Sequence, residues 1–252
     1  MWEKIVTFFV QNWEKAGVFL EQARKNFVDS FYLNFVEDAR WTYLLNGLIV
    51  TLKVTFFAVI LGFVIGFIIA MIRSSHENTG KPKILNAIAG LYLTVIRGTP
   101  VLVQLMIIYF VVFASVRIDK TFVAILAFGI NSGAYQAEIF RSGIQSIPRG
   151  QFEAGRSLGF NYSQTMIHII MPQAFKNVIP TLCNEFITLL KETSVASYIA
   201  LEDLTKGGDI IRSRTYSAFM PLMAVALIYL LLVLIFSHFV KRLERRLKRS
   251  DH

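Results

Sequence analysis

Charged residues that could bind a small ionic solute stand within or beside long apolar stretches of this sequence. Arg97 lies three residues before Pro100, and a helix broken at that proline would present free backbone N–H groups, together with a guanidinium, to a carboxylate. Glu138 and Glu185 occur in two other apolar segments and could bind an ammonium group. These residue types favour noncovalent binding of a solute that carries both charges.

The same side chains admit two other uses. Arg97 could pair with one of the two glutamates, or cap a neighbouring helix, without contacting a solute. Alternatively, the glutamates could join Arg97 and Lys176 in the ion or proton relay of a self-contained secondary transporter or channel, which would work without an ATPase. The sequence alone leaves these alternatives open.

Patterns typical of catalysis do not stand out in this sequence. It contains no Gly-four residues-Gly-Lys-Ser/Thr phosphate loop, no evident Ser/His/Asp cluster and no His-rich metal pattern. Its one cysteine, Cys183, cannot form an internal disulfide. We therefore expect no enzyme activity, no catalytic residue, no metal site and no cofactor bound by this chain.

The elements that must position these residues are membrane-spanning helices. Hydrophobic residues make up 54% of the 252 residues and charged ones 17%, against about a quarter charged in a soluble domain. A helical span needs about 20 mostly apolar residues. Five predicted spans cover residues 48–72, 84–116, 121–140, 171–190 and 217–240. The predicted fold class is an all-α integral membrane protein.

Internal features of the spans predict how they pack. As one straight helix, the second span would be about 50 Å long, so it must kink or break near Pro100. The third span carries Gly129 and Gly133 at the spacing that lets helices approach closely. The fourth is expected to start at Pro172 and to kink at Pro180.

The distribution of charge predicts the orientation. Residues 73–83, 141–164 and 241–252 hold 12 basic and 4 acidic residues, whereas 1–42, 114–120 and 191–216 hold 11 of each. Basic residues are denser in the first group, which we assign to the cytoplasm, with the N-terminus outside. The basic tail 241–252 suits lipid headgroups, and this clustering beside spans argues against a nucleic-acid partner.

Residues 1–42 have the pattern of an amphipathic helix lying at a membrane surface. A poorly ordered leader is the alternative. The apolar residues of one face are Phe9, Trp13, Leu20, Phe27 and Phe31, and the opposite face carries Lys15, Glu21, Arg24, Lys25 and Asp29.

The segment between the third and fourth spans, 141–165, contains a recognisable motif. Its residues are Glu153, Ala154 and Gly155, then Gly159 after three residues, and Ile169 to Pro172 after nine more. This resembles the EAA loop of bacterial ABC importer permeases, with Gly155 in place of an alanine and Met171 in place of a leucine. In that family the loop forms a short coupling helix that docks on the ATPase. Small residues permit close approach, and a glycine such as Gly159 can end the helix.

Further motifs are Arg97-Gly98-Thr99-Pro100 followed by Val103-Gln104, then Ala137-Glu138-Ile139, and later Leu189 to Ser194. They resemble the polar amino-acid subfamily, the histidine, glutamine, arginine and cystine permeases. The resemblance covers about residues 45–245. From their charge and polarity, the residues that we expect on a substrate pathway are Arg97, Gly98, Thr99, Pro100, Gln104, Tyr135, Glu138, Glu185, Glu192, Thr193 and Ser194. Glu192 stands where aspartate is commoner in the subfamily.

The resemblance implies an importer permease with the ABC type I transmembrane fold in a bacterial cytoplasmic membrane. Its expected partners are two ATPase subunits that use ATP and Mg²⁺, and an external solute-binding protein. Because five spans enclose a pathway poorly, a second permease subunit is expected, either a copy of this chain or a related one. Which amino acid is carried stays open.

Overall fold

The computed structural model describes the backbone of residues 2–249, and the side chains of residue 15 and residues 17–247. Every regular element in this part of the chain is helical. The α-helices are α1 Trp2–Phe31, α2 Trp41–Thr79, α3 Lys83–Gly98, α4 Val101–Ile107, α5 Lys120–Gln145, α6 Arg149–Ser157, α7 Tyr162–Thr165, α8 Met171–Glu192, α9 Leu204–Thr215 and α10 Phe219–Arg249. Short π or 3-10 turns join them at Tyr32–Val36, Glu37–Ala39, Ile108–Val112, Met166–Ile170 and Thr193–Ile199.

Helices α2 and α5 form the centre of the fold, and glycines set their spacing. A Cβ at Gly66 of α2 would lie 2.8 Å from the Ala137 nitrogen, and one at Gly133 of α5 would lie 2.9 Å from the Ile65 Cγ2 atom. Gly129 stands equally close to Leu61 of α2, at 2.6 Å. The predicted close approach through Gly129 and Gly133 is therefore present. Glycines of α2, such as Gly66, likewise let the backbone of α5 come close.

The second predicted span is broken at the expected place. Helix α3 ends at Gly98 and α4 starts at Val101. Between them, Thr99 and Pro100 have an extended backbone. The axes of the two pieces differ by 108°. Proline explains this break, because it has no N–H for a helical hydrogen bond and forces the residue before it out of the helical region.

Two ends of the bundle are defined by contacts between distant segments. At one end, Gln145 donates to Glu77 over 3.2 Å, and the hydroxyls of Ser74 and Tyr162 lie 3.4 Å apart. At the other, Lys120 donates to the Ala200 carbonyl over 3.1 Å. The structure thus brings together segments 73–83 and 141–164, which the charge count assigned to the same side.

The helices extend beyond several predicted boundaries. The first span belongs to a helix that begins at Trp41 and runs to Thr79, where Gly80 ends it with a left-handed backbone. Helix α8 starts at Met171 with Pro172 in its first turn, as predicted, although a π turn links it to the short α7, which starts with a capping box of Asn161 and Gln164. Pro180 lies inside α8.

Hydropathy singles out only some of these helices as spans. Within the described residues, α2 and α10 are long and apolar enough to cross a membrane, and the bent pair of α3 with 101–112 could form a third crossing. Helices α5 and α8 carry more polar residues and are partly covered by α2 and by each other. Polar residues on a membrane helix are tolerated where protein or a water-filled path covers them.

Candidate functional site

Gln104 holds the break between α3 and α4. Its side-chain amide donates to the carbonyls of Ile96 and Thr99, over 2.7 and 3.0 Å, and to the Thr99 hydroxyl over 2.8 Å. Its carbonyl oxygen accepts from Asn131 of α5 over 2.9 Å. Gln104 therefore satisfies carbonyls that the helix end leaves free, and it ties the bend to the central helix.

A charged cleft lies beside this bend. Arg97 is 45% exposed, its guanidinium lies 3.8 Å from a Glu138 carboxylate oxygen, and its Cζ atom is 5.8 Å from the centre of the Tyr135 ring. Arg73, Thr94, Gly98 and Glu138 help to line a cleft of about 440 Å³ here. The structure thus brings Arg97, Tyr135 and Glu138 together. The contact between Arg97 and Glu138 is the pairing of Arg97 with a glutamate that the sequence left open as one alternative.

Glu185 belongs to a second polar cluster between α5 and α8. Its carboxylate accepts from the Ser132 hydroxyl over 3.1 Å, and Gln136 donates to that hydroxyl over 3.0 Å and to the Val59 carbonyl over 3.2 Å. The Gln136 side-chain oxygen is buried without a partner among the described atoms. This cluster leaves Glu185 half-buried beside the exposed face of α8.

The remaining predicted pathway residues lie where α8 ends. Thr193 is buried, and its hydroxyl donates to the Leu190 carbonyl over 2.8 Å, which helps to end the helix. Glu192 and Ser194 beside it are half-buried. Thr193 is thus engaged by the backbone, whereas Glu192 and Ser194 remain partly accessible.

The exposed face of α8 is a polar stripe that the sequence analysis missed. Apart from Pro172, every exposed position of this helix is polar: Gln173, Asn177, Thr181, Asn184, Thr188 and Lys191. The exposed positions of α10 are instead rich in leucine and phenylalanine, including Leu227, Leu231 and Leu234. Polar residues at intervals of three and four from Gln173 to Lys191 are visible in the sequence and could have predicted this face.

The predicted coupling helix corresponds to α6, which is seated on the bundle through its buried side. A Cβ at Gly155 would lie 2.6 Å from a Thr165 side-chain atom, so this glycine allows close packing within the chain. Phe152 joins an apolar cluster with Ile144 and Met166. The departure from alanine in the motif therefore has a local cause.

A tight cap ends α6 and exposes its tip. The Phe160 N–H donates to the Gly155 carbonyl over 3.0 Å and that of Gly159 to Arg156 over 2.9 Å, while Gly159 has φ 81°. This is the Schellman arrangement, in which glycine adopts the left-handed conformation at little cost. It leaves Leu158 72% exposed, an apolar tip that the motif search did not mark.

The polar side of α6 faces outward. Glu153 and Ala154 are exposed. Pro172, the second residue of α8, is exposed too. It lies seven residues after Thr165, against which Gly155 packs.

Ion pairs connect the α6 end with the charged cleft. Arg141 contacts a Glu138 oxygen at 2.9 Å and a Glu77 oxygen at 3.5 Å. Glu138 in turn faces Arg97. Arg141 and Glu77 also line a cleft of about 560 Å³ together with Glu153 of α6. A chain of four charged side chains therefore runs from the α6 end of the bundle to the bend.

Residues 62–249 match the family described as the binding-protein-dependent transport system inner membrane component. This chain belongs to that family. The arginine transport system permease protein ArtQ of Bacillus subtilis is 39% identical over 211 residues, which cover 83% of this chain and 94% of ArtQ. The glutamine transport system permease protein GlnP of Escherichia coli is 38% identical over 78% of this chain and 90% of GlnP.

Solved structures share the fold. The crystal structure of an amino acid ABC transporter with histidines matches 84% of this chain and 98% of its own, with 43% identity and a TM-score of 0.76. A MetNI methionine ABC transporter in an inward-facing conformation has a TM-score of 0.70 at 22% identity, and so supports the fold alone. The predicted fold class and the resemblance to amino-acid ABC permeases are confirmed, and this family member is a multi-pass membrane protein.

Proposed function

We propose that this chain is the permease subunit of an ATP-driven importer that moves polar amino acids through a path lined by the exposed face of α8. The polar stripe from Gln173 to Lys191 carries this proposal. Such a face is costly against lipid, whereas the leucine-rich exposed face of α10 suits it. The stripe therefore fits a water-filled path or a second permease subunit that completes one.

The charged cleft gives this path groups that match a zwitterion. The Arg97 guanidinium is 45% exposed and its 3.8 Å contact with Glu138 is longer than a hydrogen bond, so a carboxylate could compete for it at small cost. Glu138 is 26% exposed and Glu185 is half-buried, and either can receive an ammonium. Names of relatives, with arginine and glutamine among their solutes, support an amino acid as cargo.

The exposed tip of α6 suits the role of ATPase contact. Leu158, Glu153 and Ala154 form an outward surface on a helix that Gly155 and Phe152 seat firmly on the bundle. A force applied there would reach the cleft through Arg141 and Glu138. ATP and Mg²⁺ would be used by the ATPase, and this chain would bind no cofactor.

The assembly and orientation follow from the same proposal. Two permease subunits, two ATPases and an external binding protein would make the transporter, with the α6 end and the C-terminus in the cytoplasm of a bacterium. The N-terminus would then lie outside. The basic residues of segments 73–83, 141–164 and the tail support this direction.

Reconstitution in liposomes tests the proposal. Labelled amino acids should enter only when this chain is combined with its ATPase, its binding protein and ATP. Uptake by this chain alone, indifferent to ATP, would instead establish a secondary transporter or channel that uses Arg97, Glu138 and Glu185 as a relay.

A further inference from the structure

We propose that α1 lies flat in the lipid–water interface at the end of the bundle opposite α6, with the bilayer surface as its partner. Helix α1 and its turn lie outside residues 62–249, which match the family. The proposal does not depend on the transported solute or on the direction of transport.

One face of α1 is apolar and is left uncovered by the part of the chain that the structure describes. Leu20, Phe27 and Phe31, at helical spacing, are 66%, 58% and 47% exposed. The opposite side carries Gln22 and Asn26, which are hydrogen-bonded to each other over 2.9 Å, beside the exposed Val18 and Phe19. The predicted apolar positions Phe9 and Trp13 would extend the same stripe, but they lie outside the described side chains.

A buried asparagine fixes the point where α1 leaves the bundle. Asn34 is fully buried and donates to the Ser30 carbonyl over 2.7 Å and to the Ser217 hydroxyl over 3.3 Å, while it accepts from Thr215 over 2.9 Å. These bonds join the end of α1 to the turn before α10. The C-terminal end of α1, here called its root, is therefore held beside the starts of α2 and α10, the two most apolar spans.

Exposed aromatic residues mark this level as the membrane interface. Tyr32 is 58%, Trp41 is 51% and Tyr216 is 97% exposed, and all three adjoin the root of α1. Tyrosine and tryptophan are enriched where spans leave the hydrocarbon core. Because α1 ends at this level with an uncovered apolar face, that face can lie along the bilayer surface.

Charge excludes a crossing and indicates which lipids suffice. Residues 2–31 contain four basic and four acidic side chains, which cannot enter the hydrocarbon core at acceptable cost. Since they sum to zero, apolar burial must supply the binding, without help from anionic headgroups. The association should therefore be the same on phosphatidylcholine as on vesicles that contain phosphatidylglycerol, and insensitive to salt.

Spin labels in the intact chain test this placement. In a Cys183→Ser background, cysteines at Leu20, Phe27 and Phe31 sample the apolar face, and cysteines at Gln22 and Asn26 sample the polar one. In vesicles, oxygen should collide most with labels on the apolar face, and a water-soluble nickel chelate most with labels on the polar face. The apolar labels should sit about 5–10 Å below the headgroups.

Two results would overturn the proposal. Equal nickel access at all five positions would place α1 in water, and protection from both reagents would place its apolar face against protein, such as a second copy. A paired comparison guards against misfolding: Leu20→Lys with Phe27→Lys, read by a label at Phe31, should reverse the oxygen preference. Gln22→Lys with Asn26→Lys adds the same charge and should leave it unchanged.

Discussion

Asn131 donates to the side-chain oxygen of Gln104 over 2.9 Å, and this bond joins the central helix to the bend at Pro100. The side-chain amide of Gln104 donates hydrogen bonds to the carbonyls of Ile96 and Thr99. The residue is thus a positioning group: it holds the geometry in which Arg97 stands over Tyr135 and beside Glu138.

Gln104→Met should loosen this bend. Methionine fills a similar volume but leaves the carbonyls of Ile96 and Thr99 without a donor, at a cost of about 1–3 kcal/mol for each group left unsatisfied. We expect amino-acid uptake to fall at least about tenfold while the ATPase still co-purifies. Met106→Leu, an exposed position on the same helix, is the control, and normal uptake by Gln104→Met would contradict the role.

Arg141→Met should separate ATP hydrolysis from transport. It removes the guanidinium that Glu77 and Glu138 share, so that Glu77 loses this ion pair and Glu138 keeps only its longer contact with Arg97. We expect ATP hydrolysis to continue while the number of solutes moved per ATP falls, as measured on the same proteoliposomes. Arg141→Lys keeps the charge and should recover part of the coupling; equal stoichiometry in all three proteins would show that the ion pairs are only structural.

Gly159 tests the tip of α6. Its φ of 81° disfavours β-branched residues, so Gly159→Val should distort the cap and lower ATPase co-purification, with an expected strain of about 1–3 kcal/mol. Gly159→Asn is the matched control, because asparagine tolerates the left-handed region. If both variants bound the ATPase as the parent does, the tip would not be the contact.

The polar stripe of α8 predicts a transport defect without a folding defect. Asn184→Leu replaces one exposed amide with an apolar side chain and should reduce uptake about tenfold, since about 1.4 kcal/mol of lost solute interaction has that effect. Melting temperature and ATPase binding should not change. Leu231→Val on the exposed face of α10 should leave uptake intact, and an equal effect of both substitutions would sink the assignment.

Asp203 predicts a pH dependence of stability. Burial raises the pKa of this carboxyl, which starts α9, from 3.8 to about 6, although the Lys206 N–H opposes the shift. A raised pKa means that its contribution to stability is full below about pH 4 and is lost as the pH rises through about 6. Asp203→Asn keeps the helix cap and should raise stability at pH 7.5, by at most about 3 kcal/mol.

Thermal melting in detergent measures this effect. The parent should melt at a higher temperature at pH 5 than at pH 7.5, and the difference should shrink in Asp203→Asn. Asp209→Asn is the control, because the Arg212 and Lys206 side chains hold the pKa of Asp209 below its ordinary value and it stays charged throughout this range. An unchanged pH difference in Asp203→Asn would contradict the assignment.

The sequence predicted those features that local chemistry decides. Pro100 breaks its helix, Gly159 ends α6, and Gly129 with Gly133 brings two helices together, since each depends on one residue's backbone or size. Partners across the fold were not predictable in the same way. Nothing in the 27-residue separation of Gln104 and Asn131 reveals that they meet, because the loop between α4 and α5 could place the two helices in many arrangements.

The glycine contacts between α2 and α5 have a mechanical consequence. Backbone and side-chain atoms fill the space where Cβ atoms would be at Gly66, Gly129 and Gly133, so sliding one helix by a turn would drive bulky groups into gaps that no longer match. These two helices therefore move together as one rigid body. Any alternation between open and closed states of the subunit has to come from rotation of this helix pair, or from movement of the bent and polar helices around it.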